Sequence, residues 1–326
     1  MGELHLTQVG FIKPIIDELR NNGINVDRLT HKAGLAKFSL GDEESYLPVN
    51  LVYKFFEIID REQGIDDCMA NFGETIQLLS LAQWGAMIAC APDLLAACQL
   101  ATKYDDIINT HERAGFEIDG NKTTYWQYFI DEPKKERKQL VFIDLALVIN
   151  SLFLATGNDW APMEIYIQSN SAPNLDVLLP SGYKTKIYLN QPRTAIVFPT
   201  SILTLPMLSK KWYSNYNKYN ANTTSSITSK IELILDSFEE IPSIKYVAEI
   251  SDLSVRSIQR RLLDEQVTYS NIIDNWRFKR AIDLLKDSKN SVTSISKDLR
   301  YSNLPNFVRA FSRWTNTTPQ KYRENL

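Results

Sequence analysis

The stretch Ser214–Ser229, SNYNKYNANTTSSITS, holds almost nothing that folding could bury. A run so rich in Asn, Ser and Thr builds neither a core nor an amphipathic element, so it reads as a polar linker that cuts the chain in two. With 326 residues, 44% of them hydrophobic, the chain is long and apolar enough for two ordinary cores. The expected organisation is one domain over residues 1–213, the linker over 214–229 and a second domain over 230–326.

The two parts differ in texture. Before the linker, helical and strand-like stretches alternate. Thr7–Arg20, Leu51–Ile59 and Ala91–Ile108 have helical spacing, with Pro92 in the first turn of the last. Phe116–Ile118 and Thr123–Ile130 flank Asp119-Gly120-Asn121 as a hairpin around an Asp-Gly turn. Lys138–Thr156 is a long apolar helix, and Met163–Gln168, Lys186–Leu189 and Thr194–Phe198 are short strands. This part is expected to be α+β. After the linker every segment reads as helix, separated by Ser, Asp and Asn breaks, so the second domain is expected to be all-α.

Charge follows the same division. From Ser243 onward 15 Lys and Arg stand against 9 Asp and Glu, a balance of +6. The rest of the chain carries 21 against 30, a balance of −9, so the overall −3 hides a basic end on an acidic body. That distribution fits nucleic-acid contact confined to one end.

Two segments of the basic end repeat one design. In Ser243–Glu265, Val247, Ala248 and Ile250 lie on a short helix, Ser251-Asp252 turns the chain, and Ser254 caps the helix that follows. Ile258 and Leu262 face inward from that helix. Arg256, Gln259, Arg260 and Leu263 share the other side at i, i+3, i+4 and i+7. Arg suits guanine and Gln suits adenine in the major groove, whereas Ser254 and Arg261 are placed for phosphate. In Ser291–Tyr322, Val292, Ile295 and Leu299 form the first core stripe, and Arg300–Asn303 makes the turn. Phe307, Phe311 and Trp314 repeat on the core side of the second helix, while Asn306, Arg309 and Arg313 repeat on another. The expected base-facing residues here are Asn303, Asn306 and Arg309, with Ser302 and Arg313 on phosphate. Between the units, Tyr269–Lys286 is a helix of about 27 Å. Successive major-groove faces are about 34 Å apart, so one chain can set both recognition helices in adjacent grooves.

These residues carry a family resemblance. The run VRSIQRRLLDE…RFKRAIDLLKDS…SVTSISKDLRYSNLPNFVRAFSRWTNTTPQKYR resembles the AraC/XylS family of bacterial regulators, densest from Tyr301 to Tyr322. The resemblance implies two helix-turn-helix units joined by a long helix on asymmetric double-stranded promoter sites, with activation as the commoner outcome. Arg256, Gln259, Arg260 and Arg309 fall on its DNA-facing positions. Departures stand at both turns, where the family commonly has Gly and this chain has Asp252 and Arg300. Ser296 replaces the usual alanine, and Leu304 and Pro305 stand where many members carry polar base readers.

Tyr46-Leu47-Pro48, Trp84-Gly85, Ala91-Pro92 and Gln191–Pro199 resemble that family's arabinose-binding-like N-terminal domain over roughly residues 10–210. This implies effector sensing, self-association, or both. Two readings stay open. In one, a small-molecule effector binds among Trp84, Tyr104, Tyr125, Trp126 and Tyr128 and shifts the regulator between states. In the other, the regulator is constitutive and its first domain serves dimerisation or a protein partner. An activator also implies RNA polymerase as a partner.

Enzymatic function is not expected: no nucleotide-binding glycine loop, His-Glu-x-x-His or Gly-x-Ser-x-Gly occurs. His5, His31 and His111 are scattered, and Cys68, Cys90 and Cys98 fit no zinc spacing, so neither metal nor cofactor is expected. No run approaches the roughly 18 apolar residues of a membrane span, and Met1–Gly10 has no signal-peptide pattern. A cytoplasmic protein without membrane contact, its cysteines free, is the expectation.

Overall fold

The computed structural model describes residues 3–63, 78, 81–130, 138–170, 172, 175–207, 226–287 and 289–324. The chain divides into two compact units, Glu3–Thr224 and Ser225–Leu326. An α+β unit is followed by a helical one, as the change of texture implies.

The first unit opens with β1 (Leu6–Gln8), which pairs antiparallel with β2 (Tyr46–Pro48). Thr7 and Gln8, expected as helix, therefore belong to a strand, and α1 starts only at Val9 (Val9–Asn21). After α2 (Val26–Ala33), β2 runs directly into α3 (Val49–Gln63). Then comes α4 (Ala82–Ala89), where a Cβ on Gly85 would lie 1.7 Å from the carbonyl oxygen of Leu78, so only glycine fits.

The helix expected over Ala91–Ile108 is two helices. Asp93 Oδ1 accepts from the N–H of Ala96 at 2.8 Å and starts α5 (Leu94–Lys103) after Pro92 rather than around it. The chain breaks at Tyr104 before the single turn α6 (Asp105–Ile108). Next, β3 (Glu112–Asp119) and β4 (Lys122–Phe129) form the hairpin, with Asp119 paired to Lys122. The loop is thus Gly120-Asn121, one residue later than an Asp-Gly turn, and Gly120 takes the positive φ of 57° at its first position.

Helix α7 (Lys138–Thr156) matches the expected boundaries and buries Leu140, Phe142, Ile143, Leu145, Ala146, Ile149 and Leu152. The short strands follow as β5 (Glu164–Tyr166), β6 (Lys186–Tyr188) and β7 (Thr194–Pro199). The sheet order is β3-β4-β7-β5-β6, antiparallel except for β5 with β6. Two histidines that look scattered in sequence meet: His5 and His111 lie with ring centroids 4.5 Å apart, and the hydroxyl of Tyr53 is 2.7 Å from His111 Nδ1. Among the described residues no group of three His, Cys, Asp or Glu could hold a metal ion. Cys90 and Cys98 are free and buried; Cys68 lies outside the described residues.

The second unit begins inside the stretch expected as linker. Ser226 Oγ accepts from the N–H of Ser229 at 3.0 Å and caps α8 (Ile227–Ser237). Ser226, Ile227, Thr228 and Ser229 are therefore a cap and a first turn, and residues 214–225 lie outside the described residues. Then follow α9 (Ile244–Ile250), α10 (Val255–Asp264), α11 (Tyr269–Lys286), α12 (Val292–Asp298), α13 (Leu304–Thr315) and α14 (Pro319–Glu324). Each of α9, α10, α11, α12 and α13 is capped by a Ser, Thr or Asn side chain.

Candidate nucleic-acid interface and effector cavity

Helices α9 and α10 bury Val247, Ala248, Ile250, Ile258 and Leu262. Ser254 Oγ accepts from the N–H of Ser257 at 3.0 Å, so this residue does a capping job wherever the phosphate lies. With Ile258 and Leu262 inward, the helical period turns Arg256, Gln259, Arg260 and Leu263 outward, and all four are exposed. Leu263 is 73% exposed, unusual for a leucine unless something covers it. Arg261 lies half-buried beside them. The arrangement presents two guanidinium groups and one amide on a single ridge, which suits base edges in a major groove.

The second helix-turn-helix segment sits on one core: Ala281, Leu285, Ile295, Leu299, Phe307 and Phe311, with Tyr301, Leu304, Trp314 and Tyr322 packed against it. Trp314 is only half-buried at the core's margin, edge-on to Phe278 with centroids 5.7 Å apart. Leu304 packs on this core too, which accounts for an apolar residue at a position where a base reader would stand.

The polar face of α13 differs from that of α10. Asn303 Oδ1 accepts from the N–H of Asn306 at 3.0 Å, so the side chain expected to face bases is the helix cap. Asn306 Nδ2 donates to Ser302 Oγ at 3.0 Å, and Arg309 Nη2 donates to Asn306 Oδ1 at 2.5 Å. Arg313 Nη2 donates to Asp274 Oδ2 on α11 at 2.7 Å. Ser302, Asn306 and Arg309 come together on one surface; Arg313 is drawn toward α11. An exposed ion pair is worth about 0–1 kcal/mol, so Asp274 holds Arg313 only weakly.

Both turns end their first helices alike. Asp252 and Arg300 adopt left-handed backbones, φ 55° and 58°. The N–H of Leu253 donates to the Ala248 carbonyl and that of Tyr301 to the Ser296 carbonyl, both at 3.0 Å. Asp252 and Arg300 themselves donate to the Glu249 and Lys297 carbonyls. These are Schellman motifs built without glycine.

At Arg300 the side chain is anchored elsewhere. Its guanidinium donates to the carbonyl oxygens of Leu235, at 2.8 Å, and of Phe238, and stacks over Trp276 at 4.9 Å. Burial lowers its pKa first, with Arg280 adding to the effect and Asp236 opposing it. Trp276 Nε1 donates in turn to Asp236 Oδ1 at 2.9 Å, as does Arg280 at 3.2 Å. The other end of α8 is held by the first helix-turn-helix segment, where the Glu265 carboxylate accepts from the N–H groups of Ile227 and Thr228 at 2.9 and 3.1 Å. A carboxylate at the helix start and a cation at its carbonyl end both favour the helix dipole. Helix α8 is thereby clasped by both helix-turn-helix units, a role no local pattern in the sequence announces.

In the first unit, α4, α5, α6, α7, β4 and β7 enclose a cavity of about 80 Å³. Trp84 and Tyr125 line it. Tyr104 does not line it; its carbonyl accepts from Trp84 Nε1 at 2.8 Å. Trp126 and Tyr128 do not line it. On β4 the side chains alternate, so Tyr125 and Gln127 face the cavity while Trp126 and Tyr128 stack together on the other face, centroids 5.9 Å apart. The guanidinium of Arg193 covers Trp126 at 4.7 Å. A cluster of five aromatics near in sequence is split by strand parity.

Comparison with known proteins places this geometry. Residues 247–325 match the model of a helix-turn-helix domain. Residues 23–207, more than half the chain, match that of the arabinose-binding domain of AraC transcription regulators, N-terminal. The chain belongs to the AraC family of transcription regulators.

Curated relatives in this family match over the DNA-binding end. The HTH-type transcriptional regulator VqsM of Pseudomonas aeruginosa is 40% identical over 98 residues, 30% of this chain and 30% of that protein. The ornithine utilization regulator of the same organism is 31% identical over 85 residues, 26% of this chain and 25% of its own. The matched stretches thus span under a third of these relatives. Among solved structures, the transcriptional regulator CdpR from Pseudomonas aeruginosa covers 95% of this chain and 96% of its own, at 17% identity and a TM-score of 0.45.

For an AraC-family regulator, two residues matter that the sequence patterns passed over. One is Arg300, visible only as a departure from glycine. The other is Asp144, which lines the cavity from the middle of the apolar helix α7. A carboxyl inside a run such as LVFIDLALV was itself the signal, because burying one without purpose is costly.

Proposed function

We propose that this AraC-family regulator binds asymmetric promoter sites with α10 and α13 in adjacent major grooves. Arg256, Gln259 and Arg260 read bases from α10. Asn306 and Arg309 read from α13, with Ser254, Arg261, Ser302 and Arg313 on phosphates. The observation that carries this reading is the exposed ridge of Arg256, Gln259 and Arg260 directly opposite the buried Ile258 and Leu262. The bound regulator activates transcription by engaging RNA polymerase. Its first unit holds a small-molecule effector in the cavity between α7 and the sheet. Among the described residues no helix is long and apolar enough to cross a membrane.

Selection of random duplex DNA by the full-length chain tests the reading. Two short motifs about one helical turn apart support two-unit recognition. A single motif assigns α13 to backbone grip alone, and enrichment of no sequence overturns specific recognition.

A second reading has one observation of its own. Strand β6 is a sheet edge whose Ile187 and Tyr188 are 43% and 38% exposed, with Leu189 next to them. An apolar open edge of this kind suits self-association of a constitutive regulator. Sedimentation of the full chain with and without Ile187→Lys distinguishes it: loss of a dimer supports the edge as the contact, and an unchanged state removes it.

A further inference from the structure

The cavity of the first unit is lined by two unlike sets of side chains. One is apolar and includes Phe11, Trp84, Ile88, Leu152 and Phe198. The other is made of carboxyl groups that act on the phenol of Tyr125. Asp144, on α7, is 5% exposed and is hydrogen-bonded by the neutral amide of Gln127. Asp105 has one oxygen committed to the N–H of Ala114 at 2.9 Å. Glu112 accepts from Asn109 Nδ2 at 2.6 Å. No Lys, Arg or His is among the described residues that line the cavity.

A buried carboxylate needs a counter-ion or takes up a proton. Burial pushes Asp144 up to about 7, and the Gln127 hydrogen bond acts against it. Burial likewise raises Asp105, opposed by the Ala114 N–H and by the charge of Arg113, which lies outside the cavity lining. The Tyr125 phenol is pushed up by burial first and then by Cys98, Asp105, Asp144 and Glu112, so several acids converge on one point. An anionic guest would add to that repulsion, and a purely apolar one would leave the acids as they are. A cation relieves them.

We infer that this cavity receives a small organic cation, a primary ammonium on a short apolar chain. The ammonium lies against the Asp144 carboxylate, within the field of Asp105, and the chain packs on Trp84, Leu152 and Phe198. The size of the guest follows from the space. About 80 Å³ is roughly half the cavity of about 150 Å³ that admits benzene, so the guest is smaller than a six-membered ring. The inference names the class of effector and rests on the ligand-gated reading given above.

The test uses the full-length chain and three probes of equal heavy-atom count: n-butylammonium, 1-butanol and propionate, at millimolar concentration and constant ionic strength. Binding is read by calorimetry and by the shift of the melting temperature. The expected order is butylammonium above butanol, with no binding of propionate. Asp144→Asn, an isosteric change, is expected to weaken butylammonium at least about tenfold and to leave butanol unchanged, since a hydrogen bond to a charged group is worth that much. Asp105→Asn is expected to weaken it in the same direction by less.

Butanol or propionate binding as tightly as butylammonium would overturn the cationic class while leaving a ligand-gated regulator in place. Butylammonium binding that survives Asp144→Asn unchanged would overturn the assignment of Asp144. Binding of none of the three overturns the inference, and the gating reading is then judged separately with Ala101→Leu, which fills the cavity. If that variant shifts the DNA affinity of the full chain, small-molecule control survives without an ammonium. If DNA affinity is unmoved, both readings fall.

Discussion

Asp252 and Arg300 hold equivalent places in the two helix-turn-helix units, and the backbone asks the same of each. Both sit at φ near 55–58°, a conformation that costs an ordinary L-residue about 1–2 kcal/mol. Asp is among the residues that tolerate it best, and Asp252 is exposed at the surface with no further demand on it. Arg has no such tolerance, yet its side chain recovers the cost by bonding two carbonyls at the end of α8 and stacking on Trp276. The first turn is a local solution and the second a tertiary one. The difference teaches that a departure from the usual glycine is not a defect when the added side chain has somewhere to go. No glycine occurs from residue 226 to the C-terminus, and Gln266 and Asn316 take left-handed backbones as well.

If Arg300 joins the second helix-turn-helix segment to α8, damage to one helix-turn-helix segment should be felt by the other. Phe311 is fully buried, so Phe311→Ala is expected to cost about 3–5 kcal/mol. Thermal melting followed at both Trp276 and Trp314 would show one shared transition. Two separated transitions would mean that Arg300 and Trp276 do not couple the units. The half-buried Trp314 is expected to cost less when truncated than Phe311, despite its greater size.

Arg300→Ala removes the anchor and keeps the strained turn. A loss of about 1–3 kcal/mol is expected, by the worth of hydrogen bonds to a charged group. Asp252→Ala should cost under about 1 kcal/mol in the same chemical denaturation. Equal losses at the two positions would erase the distinction drawn above.

On DNA, Arg260→Ala is expected to weaken specific binding by about 1–3 kcal/mol and to relax preference at one base pair. Arg313→Ala should weaken binding to all sequences alike and lower the salt slope by about one. Titrations of matched and scrambled duplexes at several salt concentrations separate the two. A uniform loss for Arg260→Ala would make it a phosphate contact.

The smallest effects have opposite signs. Asp252→Gly removes strain and nothing else, for a gain of a few tenths to about 1 kcal/mol in stability. Arg300→Gly removes the same strain but also the anchor, and should be destabilising. Stabilisation by Arg300→Gly would show that the carbonyl contacts contribute little.

Much of this regulator was written locally in its residues. The cap at Ser254, the span of α11, the inward stripes at Ile258/Leu262 and Phe307/Phe311, and the outward ridge of Arg256, Gln259 and Arg260 each depend on residues within one short segment. A helix states its period and its ends in its own sequence, so those features could be read before any packing was known. What only the tertiary structure decided depends on partners far away along the chain. Arg300 reaches carbonyls at Leu235 and Phe238 through a contact no periodicity encodes. Asn303 looked like a base reader until its cap bond was visible. Tyr125 and Trp126 are neighbours on β4, yet only Tyr125 meets the cavity, because the element that covers a sheet chooses which face is inside. Asp144 became a candidate ligand contact in the same way, when α7 closed its one mid-helix carboxyl over a space that holds no basic group among the described residues.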